Sequence, residues 1–522
     1  MHDENATPPG PDLAAGVPLE QVPATGVLLG HVGSDAVLLA KLEDGLFAVS
    51  GTCTHYGGPL AEGLVVDGEV RCPWHHACFS LRTGAALSAP AFAPLQAWRV
   101  ELVDGLLHVH ARVTEEDAAP AEPASIAHAG YREQRIVVVG GGAAGFAAVE
   151  RLRNLGFSGP LALLSADRDA PCDRPNLSKD YLAGTAPEDW IPLQPAEFYR
   201  DHRIDLRLGH DVASIDTAAG EVLARDGERH RYDALLLATG AEPVRLATPG
   251  FDRDNVFALR SLADARAIIA AATNARSVVI LGASFIGLEA ASALRARGLS
   301  VHVVARGPLP MERTLGPDLG ALLLRLHREH GVEFHLQRTT TGFDGQTVTL
   351  DDGTRIQTDL VVVGIGVRPR TALAEAAGLA VRDGILVDAC LRTSHPSIFA
   401  AGDVARYRSG EAELRVEHWV HAQRQGQVAA ANMLGLAEAF DAVPFFWTHH
   451  YGVELRHVGV ADGWDETRID GSPDAFDCSV RYFRGGRLVA ATTIGRDREN
   501  LEIEAGLHRQ PPTNAASEPV TA

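Results

Sequence analysis

The 522-residue sequence has few cysteines and few aromatic residues, and it has no long apolar run. Six cysteines are too few for a disulfide-stabilised scaffold in a chain of this length. No segment offers the roughly 20 uninterrupted apolar residues that a membrane-spanning helix requires, so no membrane partner is expected. The N-terminal stretch MHDENATPPG lacks the basic start and apolar run of a secretory signal. The sequence therefore predicts a cytoplasmic protein.

Positive charge is also scarce. The chain has 47 Lys and Arg residues against 67 Asp and Glu residues, which gives a net charge of −20. A phosphate backbone would repel such a chain, so no nucleic-acid partner is expected. Apolar residues make up 46%, and the 52 glycines fit an α/β enzyme with many tight turns. At this length, three or four domains are expected.

The N-terminal part of the chain is predicted to be a small all-β domain. Residues 19–115 alternate short apolar runs with hairpin signals such as EDG and VDG. Residues 1–18 are expected to be disordered. Residues 116–134 lose all periodicity and are rich in Ala, Pro and Glu, which indicates a linker.

The rest of the chain is predicted to form two nucleotide-binding domains and a C-terminal domain. Two units of buried strand, glycine turn and helix open at Arg135 and Arg276. The first nucleotide-binding domain is predicted to comprise residues 135–258 and 386–437. The second is predicted to comprise residues 259–385, and a C-terminal α+β domain residues 438–509. The tail, residues 510–522, is expected to be disordered.

Two Cys-and-His pairs lie in the all-β segment: Cys53 with His55, and Cys72 with His75. Four such ligands fit either a structural zinc ion or an iron–sulfur cluster. The stretches CTHYGG and CPWH resemble the two loops of a Rieske centre, in which two thiolates bind one iron of a [2Fe–2S] cluster and two imidazoles bind the other. High-potential members of that family add one cysteine to each loop and join the two by a disulfide. Gly58 and Trp74 occupy those positions here, so the resemblance implies the low-potential, ferredoxin-like type.

Two glycine turns are candidate pyrophosphate-binding sites. The first contains Gly140, Gly142 and Gly145, and Asp167 follows the next strand, where it could bind a ribose hydroxyl. The second contains Gly282, Ser284 and Gly287, with serine in place of the usual middle glycine. After the following strand, Ala305 and Arg306 stand where an acid would select NADH. The choice between NADH and NADPH stays open at this point.

Three later stretches resemble the FAD-dependent pyridine-nucleotide oxidoreductases over nearly all of residues 135–505. They are YDALLLATGAEP, VVVGIGVRP and TSHPSIFAAGDVA. The resemblance implies that FAD and NAD(P)H bind to this part of the chain and that Asp403 binds the ribityl chain of FAD. The other cofactor-binding candidates in these stretches are Ala238, Thr239, Gly240 and Gly366.

The stretch DRPNLSKDYL resembles the ferredoxin-reductase and apoptosis-inducing-factor branch of that family. The resemblance implies that Lys179 lies beside the flavin, paired with Glu289, and that Arg174 lies near the FAD phosphates. The stretches RVEHW and PFFWTHHYG offer Trp419 and Trp447 as walls of the flavin pocket. Disulfide reductases carry a redox cysteine pair after the first glycine turn, and this sequence has none there.

These features together resemble apoptosis-inducing-factor-like reductases with an N-terminal Rieske domain. They predict an enzyme that passes electrons from NADH or NADPH to FAD, then to the [2Fe–2S] cluster, and then to a separate electron-acceptor protein such as an oxygenase. One alternative is a redox-sensing interaction protein with slow turnover. A flavin oxidase with a structural zinc is another. The sequence leaves the oligomeric state, monomer or homodimer, open.

Overall fold

The computed structural model describes residues 10–114, 134–410 and 412–509. They divide into two compact units. The first unit contains the N-terminal domain together with residues 154–156 and 496–506, and the second contains the remainder. The disorder predicted for residues 1–9 and 510–522 lies outside the described residues, as does the predicted linker apart from residue 134.

The first unit is built on short antiparallel strands. The strands are β1 (Val17–Pro18), β2 (Val27–Val32), β3 (Asp35–Leu42), β4 (Gly45–Ser50), β5 (Leu64–Val66), β6 (Glu69–Arg71), β7 (Cys78–Ser80), β8 (Ala86–Ser88), β9 (Ala97–Val103) and β10 (Leu106–Arg112). One sheet has the order β1–β10–β9–β4–β3–β2, and the other has the order β5–β6–β7–β8. Hairpin turns such as Asp67–Gly68, with φ of +54° and +79°, explain the antiparallel pairing.

The strands of the second unit fall into two parallel sheets, one large antiparallel sheet and several small ones. They are β11 (Ile136–Val139), β12 (Leu161–Ser165), β13 (Ile204–Leu208), β14 (Val212–Asp216), β15 (Glu221–Ala224), β16 (Arg229–Arg231), β17 (Ala234–Leu237), β18 (Ala241–Pro243), β19 (Val256–Ala258), β20 (Ser277–Leu281), β21 (Ser300–Ala305), β22 (Val332–Leu336), β23 (Thr340–Phe343), β24 (Thr347–Leu350), β25 (Arg355–Gln357), β26 (Leu360–Val363), β27 (Val367–Pro369), β28 (Ile385–Leu386), β29 (Ile398–Ala400), β30 (Ala405–Ser409), β31 (Ala412–Leu414), β32 (Phe445–His450), β33 (Val453–Gly459), β34 (Glu466–Ser472), β35 (Asp477–Arg484) and β36 (Arg487–Ile494).

The α-helices of the described residues connect these strands. They are α1 (Ala143–Asn154), α2 (Asp180–Ala183), α3 (Ala196–Asp201), α4 (Leu262–Ala272), α5 (Phe285–Ala296), α6 (Glu312–Glu329), α7 (Ala372–Ala376), α8 (Trp419–Met433) and α9 (Asp497–His508). Helices α1 and α5 each follow a buried, mainly apolar strand across a glycine turn, as the two repeated sequence units predict.

Two parallel five-stranded sheets form the nucleotide-binding part of the second unit. The first has the order β13–β12–β11–β17–β29, and the second has the order β19–β26–β20–β21–β22. The residues of β11 and β17 are all buried, which is typical of parallel strands covered on both faces. An antiparallel sheet, β32–β33–β36–β35–β34, follows them in the chain. The predicted fold class is confirmed: an all-β domain, two Rossmann-like domains and a C-terminal α+β domain.

The structure moves two of the predicted domain boundaries. Leu13 is buried and β1 begins at Val17, so the N-terminal domain starts before residue 19. The last helix does not group with the C-terminal sheet, because residues 496–506 belong to the first unit. There Leu501 packs with Leu64, a contact that the local sequence pattern does not encode.

Candidate functional site: a two-loop metal centre and a nucleotide cavity

Two tight loops present the four candidate metal ligands. Cys53 follows β4 and Cys72 follows β6, and both thiols are buried. In each loop the cysteine carbonyl accepts a backbone hydrogen bond, from Gly57 N at 3.0 Å in the first and from His76 N at 3.1 Å in the second. Each cysteine N–H donates to the carbonyl of the residue five positions later in the chain, at 2.9 Å for Cys53 and 2.8 Å for Cys72. The two loops therefore hold their ligands in the same way.

The loops bring the two candidate imidazoles and the two thiols together. The His55 and His75 rings lie 5.0 Å apart at 89°. The His55 Nδ1 atom is buried and, within the described residues, has no hydrogen-bond partner. Burial lowers the pKa of His55 to about 4, and the Cys72 thiol next to Cys53 raises the pKa of the Cys53 thiol. An unpaired, neutral imidazole nitrogen in a buried site fits a metal ligand, because leaving such a group unsatisfied is costly.

Gly58 leaves the space that such a centre needs. A Cβ atom at this position would lie 2.8 Å from the Cys72 Sγ atom. The residues next to the ligands have other contacts. His76 bonds Glu504 at 2.7 Å, and the Cys78 thiol donates to Glu69 at 2.9 Å. The donor set of two thiolates and two imidazoles therefore fits a Rieske [2Fe–2S] centre.

A cavity of about 1220 Å³ lies at the carboxyl edge of the first parallel sheet. This is the edge at which open α/β sheets bind their ligands. The predicted site residues that line it are Gly140, Gly142, Asp167, Arg174, Lys179, Ala238, Thr239, Gly240, Glu289, Asp403, Trp419 and Trp447. The cavity is larger than the usual pocket for a drug-sized ligand, so its size suits a dinucleotide.

The first glycine turn has the backbone that a pyrophosphate site requires. Gly140 has a φ of +113°, and a Cβ there would lie 2.1 Å from the Ala238 carbonyl oxygen. Gly145 does not line the cavity; a Cβ at this position would lie 1.9 Å from the Gly140 carbonyl oxygen. Gly145 therefore allows helix α1 to pack closely against the turn, with its N-terminus directed at the cavity.

Two ion pairs line the cavity. Arg174 bonds the Asp167 carboxylate at 3.1 Å, so the predicted phosphate-binding and ribose-binding residues contact each other. Asp403 bonds Arg260 at 2.6 Å. Arg260 lies in none of the sequence motifs and is 143 residues from Asp403 in the chain. A buried carboxylate such as Asp403 requires a cationic partner, but no local pattern identifies which arginine provides it.

Lys179 and Glu289 meet at the wall of the cavity, 2.9 Å apart. The Ser178 hydroxyl also donates to Glu289, and the Lys179 ammonium lies 5.7 Å from the centre of the Trp447 ring. Residues 174–178 and 180–183 form two short helical turns. These turns direct the Ser178 and Lys179 side chains towards Glu289 on helix α5. The structure thus brings together the pair that the sequence places on two distant motifs.

A buried chain of hydrogen bonds leads away from this pair, and no sequence motif indicates it. We call it the buried chain; its members are Glu289, Thr448, His450, His327 and Tyr451. The successive distances are 2.7, 3.0, 3.3 and 3.4 Å. The histidines come from helix α6 and strand β32, so only tertiary packing joins them.

The second glycine turn lies outside the large cavity, on the second parallel sheet. Gly282 has a φ of +108°, and a Cβ on Gly287 would lie 2.2 Å from the Gly282 carbonyl oxygen. The Ser284 hydroxyl donates to the Gly364 carbonyl at 2.9 Å, so serine is accommodated at the middle position. Arg306 is exposed just after β21, and Gly366 follows β26 with a φ of +113°. Gly282, Ser284, Gly287 and Arg306 remain predicted ligands of the nicotinamide nucleotide, and Gly366 remains a predicted cofactor-binding residue.

Three family models match the chain. Residues 134–426 match the pyridine nucleotide-disulphide oxidoreductases, residues 17–99 match the Rieske [2Fe-2S] domain, and residues 445–517 match the reductase C-terminal domain. The chain belongs to the pyridine nucleotide-disulphide oxidoreductase family. It also carries an N-terminal Rieske domain, and the resemblance stated from the sequence motifs is confirmed.

Similar proteins support this assignment over most of the chain. Apoptosis-inducing factor 3 of Homo sapiens is 33% identical over 90% of this chain and 79% of its own length. Rhodocoxin reductase of Rhodococcus erythropolis is 38% identical over 70% of this chain and 87% of its own length. The solved covalent putidaredoxin reductase–putidaredoxin complex has a chain that is 33% identical, with a TM-score of 0.70, over 73% of this chain and 94% of that one.

The chain is accordingly an NAD(P)H-dependent oxidoreductase of the ferredoxin-reductase type. Its cofactors are FAD and a Rieske [2Fe–2S] cluster, which confirms the predicted cofactors and rules against a zinc ion at the four Cys and His ligands. Within residues 10–114, 134–410 and 412–509, no helix is long and apolar enough to cross a membrane.

Proposed function

We propose that this protein takes electrons from NAD(P)H at its flavin site and passes them through its own Rieske centre to a separate one-electron acceptor such as an oxygenase. The observation that carries the proposal is the presence of both redox sites in one chain. A flavin accepts a hydride and releases electrons singly, whereas a [2Fe–2S] cluster accepts one electron at a time. A Rieske domain fused to a reductase therefore supplies an electron exit.

The side chains of the large cavity have distinct roles in this proposal. The first glycine turn and Arg174 hold the pyrophosphate, and Asp167 and Asp403 bind hydroxyl groups of FAD. Lys179, held by Glu289, would lie beside the flavin ring, and Trp419 and Trp447 would enclose it, since all of them line this cavity. In this proposal the ammonium group stabilises the negative charge that develops on the flavin when it is reduced.

The names of several relatives support an oxygenase as the acceptor. One is the ferredoxin–NAD(+) reductase component of the anthranilate 1,2-dioxygenase system of Burkholderia cepacia, 38% identical over 70% of this chain. Another is the ferredoxin reductase subunit of 5,5'-dehydrodivanillate O-demethylase, 36% identical over 71% of this chain. Each name describes a ferredoxin reductase that is one part of a dioxygenase or demethylase system.

The test compares two electron acceptors in the wild type and in His75→Ala. Ferricyanide, a small acceptor that can react with the flavin, reports flavin reduction; cytochrome c, a protein acceptor, reports exit through the cluster. We expect His75→Ala to keep the NAD(P)H–ferricyanide rate and to lose the cytochrome c rate. Retained cytochrome c reduction in a variant without a cluster signal in electron paramagnetic resonance would overturn the exit route.

Turnover also distinguishes this proposal from a redox sensor. A reductase cycles quickly when the one-electron acceptor is in excess. A sensor would instead accumulate a long-lived reduced complex with the nucleotide under the same conditions. Stopped-flow spectra of the wild type with NADPH and excess ferricyanide measure this directly.

A further inference from the structure

A cluster of metal-ligating side chains lies in the second unit, apart from the Rieske ligands. His210 follows β13, and His230 lies on β16 with Glu228 just before it. The two Nε2 atoms face each other at 2.9 Å, and Glu228 carboxylate oxygens lie 3.9 Å from His210 Nε2 and 3.7 Å from His230 Nε2. We propose that His210, His230 and Glu228 bind a Zn²⁺ ion.

The distances and the donor types fit zinc. With Zn–N bonds of about 2.0–2.1 Å in tetrahedral geometry, two ligand atoms lie about 3.3 Å apart. The nitrogen pair therefore has to separate by a few tenths of an ångström, and the carboxylate oxygens have to approach by a similar amount. Two neutral imidazoles and one carboxylate suit this ion better than Ca²⁺ or Mg²⁺, which prefer oxygen ligands.

The surroundings of His210 support the same assignment. The Asp226 carboxylate lies 3.4 Å from His210 Nδ1, so it can fix the tautomer in which Nε2 is free to bind a metal. The imidazole side chains are 9% and 10% exposed, whereas Glu228 is 43% exposed and can move inward. Arg207 lies 3.9 Å from Glu228 and competes for it, so its charge weakens the site.

A metal ion bound at this site would hold together two segments in the wall of the large cavity. His210 lines that cavity, and its backbone N–H bonds the carbonyl of Ser165, the last residue of β12, at 2.7 Å. The other two ligands lie on the hairpin formed by β15 and β16. A bound ion would join the hairpin to the loop that closes the cavity near Asp167.

The test is calorimetric titration of Zn²⁺ into the oxidised holoprotein, with its FAD and cluster in place. We expect one site that His230→Gln and Glu228→Gln abolish, and that Asp226→Asn weakens roughly 10- to 100-fold. His302→Gln is the matched control, because His302 and His335 form a second histidine pair, 3.3 Å apart. Circular dichroism and flavin content verify that each variant is folded. Wild-type protein that binds no zinc, or zinc binding lost only in His302→Gln, would overturn the assignment.

A second, independent inference concerns the buried chain. We propose that it is a proton path between the Lys179–Glu289 pair and the protein surface; this rests on the proposed function. Oxidation of one NAD(P)H by two one-electron acceptors gives NAD(P)⁺, two reduced acceptors and one proton. That proton has to leave the enclosed flavin site once per cycle.

The hydrogen bonds of the buried chain form a single directed series. The Tyr451 hydroxyl can donate to His327 Nδ1, and His327 Nε2–H can donate to His450 Nδ1. His450 Nε2–H can then donate to Thr448, whose hydroxyl donates to Glu289. Every donor thus has an acceptor, and when both imidazoles switch tautomer the same atoms carry a proton outward.

The burial of the chain supports transfer between neutral groups. Burial lowers the pKa of His450 to about 3 and lowers the pKa of His327 well below its usual value. At the outer end the Tyr451 ring stacks on exposed His330 at 3.8 Å, in a cavity of about 420 Å³. Lys179 and Glu289 also line this cavity, so water in it is the competing route.

Thr448→Val tests the path, because it removes the hydroxyl and keeps the side-chain shape. With NADPH and ferricyanide, a pH-indicator dye in stopped flow should show proton release slowed roughly tenfold or more. Thr448→Ser should restore it. Thr492→Val is the matched control, since that buried hydroxyl bonds His457 and Tyr482 instead.

A second readout does not depend on turnover. In ¹⁵N-histidine spectra of the resting oxidised protein, His327 and His450 should each show one protonated ring nitrogen, and Thr448→Val should change the tautomer of His450. Wild-type proton release in Thr448→Val would overturn the path and assign the proton to the water-accessible cavity. Wild-type protein that neither NADH nor NADPH reduces would instead overturn the proposed function.

Discussion

The Glu289 carboxylate lies 2.9 Å from the Lys179 ammonium, and the two side chains are only 5% and 12% exposed. A charge pair this well buried sets the electrostatic potential of the site next to it. The position of each charge therefore predicts how the bound flavin responds when one partner is neutralised.

Replacing each partner should change the flavin midpoint potential in opposite directions. Lys179→Met removes a positive charge and should lower the potential, because the negative charge gained on reduction loses its stabilisation. Glu289→Gln leaves the ammonium uncompensated and should raise the potential. A change of about 30 mV corresponds to 1.4 kcal/mol for a two-electron couple, and shifts of at least this size are expected in anaerobic redox titrations. Shifts of the same sign in both variants would contradict this account.

Gly58→Ala should lower the occupancy of the Rieske cluster. Its Cβ would lie 2.8 Å from the Cys72 sulfur, so the thiolate would have to shift from its position. We expect iron content and the reduced-state paramagnetic signal to fall strongly, with flavin content unchanged. Gly57→Ala is the control: its Cβ meets nothing within 4 Å, although its φ of +77° costs about 1–2 kcal/mol. Equal cluster loss in both variants would indicate backbone strain instead of crowding.

Arg306→Ala should raise the KM for NADPH more than the KM for NADH. The side chain is exposed at the end of β21, where a 2′-phosphate would lie and where Ala305 replaces the acid that binds ribose hydroxyls. Loss of a charge-assisted contact corresponds to about 1.5–3 kcal/mol, or a KM increase of roughly tenfold or more. Steady-state kinetics with both nucleotides measure this. An equal change for NADH and NADPH would show that Arg306 does not contact the phosphate.

The protein should lose stability as the pH falls below 6.5. Burial lowers the pKa of His418 to about 4 and the pKa values of His450 and His457 to about 3. Their unfolded forms take up protons near pH 6.5 while the folded forms stay neutral, so protons favour unfolding. Each residue contributes about 1.4 kcal/mol per pH unit between 6.5 and its folded pKa.

Urea unfolding followed by circular dichroism at pH 6.5 and pH 5 tests this expectation. His457→Phe should reduce the pH dependence, because one buried imidazole no longer titrates. His110→Gln, at a position 41% exposed, should leave the dependence unchanged. A stability that does not change over this range would contradict the assignment of neutral buried histidines.

Local sequence patterns predicted the parts of the site that local backbone geometry determines. The four metal ligands lie on two short loops, and the first and last glycines of both turns have the close contacts that their spacing indicates. The Lys179–Glu289 contact was found because each residue lies in a recognisable motif. These features depend on a few consecutive residues each.

Contacts between distant segments could not be predicted in this way. The Arg260–Asp403 ion pair and the His327–His450 contact each join parts of the chain more than 100 residues apart. Nothing near Asp403 in the sequence indicates its partner. The histidines of the buried chain lie in ordinary amphipathic patterns, where an isolated histidine gives no sign of what it packs against. Such contacts follow from tertiary packing alone.

Helix α9 belongs to the same compact unit as the N-terminal domain, although almost 400 residues separate them in the chain. On the ribosome, the N-terminal domain therefore emerges long before this helix is made. At 5–20 residues per second, the delay is roughly 20–80 s. During that time Leu64 remains without Leu501, and His76 without Glu504. Synthesis thus exposes an incomplete first domain until the final segment is released, and a C-terminal truncation would make that state permanent.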